Sequence, residues 1–152
     1  MTSGVEKFGQ QVINGICLEK QTIFQSIADQ FHDVQVNENV LKDQCSQMLI
    51  AFLTNCIRLI TLRSDMIVDL CRYAAVKLHN QGLRTFDAEY WLITKRLTIE
   101  NIASNQKQKS VQNDDETSSS RRVWNVLLSF LIMEMKHAFC AETRRICSRT
   151  IK

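Results

Sequence analysis

Apolar residues recur every three to four positions along most of this chain. Val5, Phe8, Val12, Ile16, Ile23, Ile27 and Phe31 set the first run. Their spacing predicts one amphipathic helix, or two in line, over residues 3–32. Gly9 and Gly15 are its weak points, because glycine loses the most backbone freedom in a helix. Residues 32–39 are polar and read as a short loop. A second run begins near Val40, where Leu41, Cys45, Met48, Phe52, Leu59 and Leu62 share a stripe. Residues 48–62 are apolar on almost every face, which predicts a helix in the middle of a bundle. Ser64 and Asp65 are placed to restart the helix as an N-cap before Met66, and it runs to about Asn80.

Asn80-Gln81-Gly82 is the clearest stop in the chain, since glycine just past a helix end takes the left-handed conformation without steric penalty. Thr85 or Asp87 then caps a helix through roughly Ile102. Residues 104–120 are Asn, Gln, Lys, Ser, Thr, Asp and Glu with the single apolar Val111. Such a stretch buries too little surface to order itself, which predicts a flexible polar loop. Ser118, Ser119 or Ser120 caps the last helix, expected from about Arg121 to Thr150.

Composition agrees with this pattern. There is no proline and there are only four glycines in 152 residues, so few positions can break a helix. The expected fold is all-α: a single-domain bundle of about five or six helices around a central apolar helix. The first residues carry neither a basic flank nor an apolar run, so no secretory signal is expected. The most apolar runs, residues 48–62 and 123–135, are shorter than the ~20 apolar residues that span a bilayer and read as buried core helices. Cys17, Cys45, Cys56, Cys71, Cys140 and Cys147 each sit in an apolar periodic pattern, as small hydrophobes do. They are expected as reduced thiols of a eukaryotic or viral protein in the cytoplasm or nucleus.

The net charge of +3 matters through its location. From Met133 onward, Lys136, Arg144, Arg145, Arg149 and Lys152 stand against Glu134 and Glu142. Together with Arg84, the basic tail is a candidate surface for phosphate or an acidic partner. Cations near a helix C-terminus also offset the helix dipole, with no partner needed.

Catalytic chemistry finds little footing. His137, Cys140 and Cys147 fall at about 0°, 300° and 280° on a helical wheel, and Cys71 or His79 would supply a fourth zinc ligand. There is no paired-cysteine motif, however. Phe130 and Met133 share that face, so it reads as core; no metal site and no cofactor are assigned. The three histidines lie on separate segments, and no spacing pairs one with a cysteine nucleophile. No glycine-rich phosphate loop exists. Trp91 and Trp124 read as packing residues near helix starts. Tyr90-Trp91 with Lys95 and Arg96 is a faint version of a base-stacking platform.

Two local resemblances add expectations. Phe24, Ile27, Ala28, Asp29 and Phe31 resemble the core of the death motif in the B-cell-lymphoma family of apoptosis regulators. Asn80-Gln81-Gly82-Leu83-Arg84-Thr85-Phe86, followed by Tyr90, resembles that family's second homology region. The resemblance implies an apolar stripe entering a groove while Asp29 meets an arginine. Lys20 departs from the family at an apolar anchor, and no Asn-Trp-Gly-Arg element exists. Residues 79–89, from His79 to Glu89, also resemble the loop and third helix of histone-fold proteins. That implies pairing with a partner chain and contact of Arg84 with DNA phosphate, although the helix before the loop is too long for that fold.

The sequence therefore leads to a non-enzymatic intracellular interaction module that binds a helical protein partner or forms a homodimer. Phe24, Ile27, Asp29 and Phe31 are its expected contacts. The alternative is a histone-fold-like subunit of a DNA- or chromatin-binding complex, acting through Arg84, Lys136, Arg144, Arg145 and Arg149.

Overall fold

The computed structural model describes residues 4–20, 37–80, 86–109 and 114–151. Among them five α-helices form, with one 3₁₀ turn and no strand: α1 (Gly4–Glu19), α2 (Glu38–Leu62), α3 (Ile67–Asn80), α4 (Ala88–Lys109) and α5 (Asp114–Thr150). The chain is all-α, as its periodicity and lack of proline predict.

Local chemistry sets the ends. Asn37 caps α2, its side-chain oxygen accepting from the Asn39 N–H at 2.9 Å. The restart after α2 falls where expected, as the 3₁₀ turn Ser64–Met66 leading into α3, but Ser64 and Asp65 lie inside that turn and do not cap it: Arg63 holds the cap position and makes no side-chain capping bond. Arg63 donates to both carboxylate oxygens of Asp65 there, at 3.1 and 3.0 Å. The third helix is described as far as Asn80, and Gln81 and Gly82 of the expected stop lie outside the described residues. Asp87 caps α4, accepting from the N–H groups of Glu89 and Tyr90 at 3.0 and 3.4 Å.

Two expectations are corrected. The segment 104–120 is not a continuous loop: α4 runs on to Lys109 and α5 begins at Asp114. Polar side chains satisfy themselves along the helix, as Asn101 donates to the Leu97 carbonyl at 2.8 Å and Ser104 to that of Glu100 at 2.9 Å. The second correction concerns residues 48–62. They do not form an all-round buried central helix, since Ile57, Ile60 and Leu62 are exposed and only one face of α2 is covered.

Packing divides into two continuous clusters. Val12, Ile13 and Ile16 of α1 meet Leu41 of α2 and Leu97 of α4. Leu53 and Cys56 of α2, Ile67 and Cys71 of α3, and Leu128, Leu131 and Met135 of α5 form the second. Phe8 and Leu49 pack against both. Gly9 lets α1 approach α2 closely: a Cβ there would overlap the Ser46 hydroxyl and lie 2.6 Å from Ile50 Cδ1. Arg96 ties α4 to α1 through Glu19, and Lys20 reaches Glu89 at 2.6 Å.

Candidate functional site

The fifth helix carries apolar residues on two opposite faces. Leu128, Leu131, Met135 and Phe139 are buried, Leu131 to 1% exposure. Val123, Val126, Phe130 and Met133 are 66%, 70%, 38% and 47% exposed. At 100° per residue the two stripes point about 160° apart. The exposed stripe steps by three, four and three residues, the spacing that presents one seam to a partner helix.

This overturns the reading of residues 123–135 as a wholly buried helix. It also overturns the reading of the His137 face as core, for Phe130, Met133 and His137 are all exposed. Beyond Met133 the stripe leads into a cleft of about 230 Å³ between α3 and α5, lined by Val68, Arg72, Glu134, His137, Ala138 and Ala141.

The open face of α2 differs. Ile57 and Ile60 are exposed, but Ile50 and Leu53, which precede them on the same face, are half-buried and buried, so the exposed part of that row is only two residues long. The segments Asn39–Leu62 and Ser118–Thr150 are each long and apolar enough to cross a membrane by length and composition, longer than the apolar runs alone suggest. Their apolar windows are 17% and 22% buried.

A row of cationic positions borders the α5 stripe. Arg122, Ser129 and Lys136 are exposed and seven residues apart, on one flank of Val123, Val126, Phe130 and Met133. The Lys95 ammonium of α4 donates to the Ser129 hydroxyl at 3.2 Å and fills the middle of the row. Among the described residues, Arg122, Lys95 and Lys136 form no ion pair. The opposite flank carries Leu127, Glu134 and Ala141.

The residues singled out from sequence fare unequally. Phe24, Ile27, Asp29 and Phe31 lie outside the described residues, as does Arg84. Lys136 and Arg144 are exposed on α5 but about 80° apart, with Arg145 and Arg149 turned farther round, so the four share no single face. Arg145 is engaged by Glu142, its Nε donating to Oε2 at 2.9 Å. That guanidinium holds the Glu142 carboxyl below the usual range.

No group of three His, Cys, Asp or Glu side chains comes together among the described residues. Cys140 is half-buried, Cys147 is exposed, and His79 is taken up by Thr143 and Phe139. No disulfide forms. Burial pushes the Cys45 thiol up to about 11, Cys56 to about 12 and Cys71 to about 11, which keeps all three protonated and unreactive near neutral pH. Trp91 stacks on Phe86 with ring centroids 5.0 Å apart, and Arg96 binds Glu19 and Glu100. The Tyr90-Trp91 pair therefore packs inward and offers no stacking platform.

Sequence reasoning missed the exposed stripe because both stripes of α5 have helical spacing. The seven-residue row of Arg122, Ser129 and Lys136 was readable as a sign of a solvent-facing edge. Compared with known proteins, the chain matches no family profile, no curated protein and no solved structure.

Proposed function

We propose that this chain is a non-enzymatic helical interaction module that docks a partner's amphipathic helix along Val123, Val126, Phe130 and Met133 of α5. One observation carries the reading: the helix is anchored through one apolar stripe and presents a second one to solvent. A helix apolar on both sides is normally covered on both sides. Four apolar side chains in a row form a patch of the kind that marks an interaction site, unlike scattered exposed residues. The anchored stripe favours a protein partner over a bilayer, since α5 is already half-packed against its own bundle.

The titrated probe is a fluorescently labelled amphipathic helix with leucine at its seam positions. Anisotropy should report saturable binding to the wild type. Phe130→Asp should weaken it by about 10- to 100-fold, the worth of burying one large side chain, with an unchanged melting temperature. Equal binding by Phe130→Asp would sink the proposal. Val126→Ser, a milder change at the most exposed position of the stripe, serves if the aspartate unfolds the chain.

A further inference from the structure

We infer that the helix docked on α5 is acidic along one edge, with carboxylates spaced to meet Arg122, Lys95 and Lys136; this rests on the docking face proposed above. The three cations form a ladder beside the apolar stripe. Successive rungs are seven residues apart along α5, about 10.5 Å at the helical rise. A partner helix lying along the seam repeats at the same interval, so glutamates at one flanking position would meet every rung. Among the described residues no carboxylate pairs with these cations. Arg122 and Lys136 are exposed, and Lys95 makes one neutral hydrogen bond.

The same ladder argues against a second copy as the occupant. In an antiparallel two-fold pair like edges meet, which brings Arg122 of one copy beside Lys136 of the other. In a parallel pair the ladder faces Leu127, Glu134 and Ala141, a single carboxylate for three cations. An acidic helix satisfies all three rungs.

Charge at a helix–helix edge sets partner choice more than raw affinity. The test therefore uses twin peptides of about 21 residues, three heptads with leucine seams. One carries glutamate at both flanking positions, the other lysine. At low salt the glutamate peptide should bind the full chain at least about tenfold tighter, and the gap should narrow as salt screens it. Arg122→Glu with Lys136→Glu should invert the preference; both side chains are exposed, and the melting temperature checks the fold. Equal binding of the twins would overturn the acidic-edge inference while leaving the docking face intact. If neither twin binds the folded chain, the docking face itself fails. Should phosphatidylserine vesicles shift Trp124 emission while the glutamate peptide does not bind, the ladder serves an anionic membrane and the inference falls.

Discussion

The Nε2 of His79 lies 2.7 Å from the hydroxyl of Thr143, joining the end of α3 to the far half of α5. Thr143 gives its own proton to the Phe139 carbonyl at 3.0 Å, so the hydroxyl accepts and His79 Nε2 donates. The imidazole also stacks on Phe139, ring centroids 4.3 Å apart. This clasp holds α5 on its buried stripe and leaves the other stripe outward. Thr143→Val removes the acceptor while keeping the shape. It should lower unfolding free energy by about 1–2 kcal/mol in urea titrations; His79→Ala, which also loses the stack, should lower it further.

Gly9 is a contact residue between α1 and α2. A Cβ there would meet the Ser46 hydroxyl and Ile50, so Gly9→Ala should destabilise by about 1–3 kcal/mol despite alanine's better helix propensity. At Gly4 nothing lies within 4 Å of the built Cβ. Gly4→Ala should leave the melting temperature unchanged or raised. A loss at both sites alike would refute the close-approach explanation.

Acid should loosen the tail of α5. Arg145 holds the Glu142 carboxyl below its ordinary value, so the pair stabilises the fold above the unfolded carboxylate range. That contribution disappears as pH falls through the lowered folded value. Thermal melts of wild type and Arg145→Ala should differ at neutral pH and converge in acid, once the carboxyl is protonated in both the folded and the unfolded chain. A gap that persists there would show that Arg145 acts by packing.

The buried thiols set an alkaline limit. Cys56 ionises at about 12 in the fold, well above its ordinary value. Between those values the unfolded chain gives up a proton that the native chain keeps, so stability should fall as pH rises from about 9 toward 12. Cys56→Ala should flatten that decline. With iodoacetamide at neutral pH, exposed Cys147 should react first, while Cys56 and Cys71 should label only on unfolding.

The helical class was legible because helix breakers are scarce and the apolar spacing is regular. The Asp87 cap was legible because a single residue carries that signal. Which stripe of α5 is buried was not. Leu128, Leu131 and Met135 have the same spacing as Val123, Val126 and Phe130, and only the placement of α3 and α4 decides between them. Gly9 read as a weakness in a lone helix, because its value depends on Ser46 and Ile50 of another. The polar end of α4 was missed because a side chain such as Ser104 satisfies itself on the helix's own carbonyls.

Methyl NMR of the full chain, with labelled valine and methionine, tests the central claim most directly. On titration with the glutamate-edged helical peptide, the methyl signals of Val123, Val126 and Met133 should shift together and saturate, while Val12 in the core stays fixed. Unmoved stripe signals, or shifts confined to Ile57 and Ile60 of α2 in an isoleucine-labelled sample, would contradict the assignment of α5 as the docking helix.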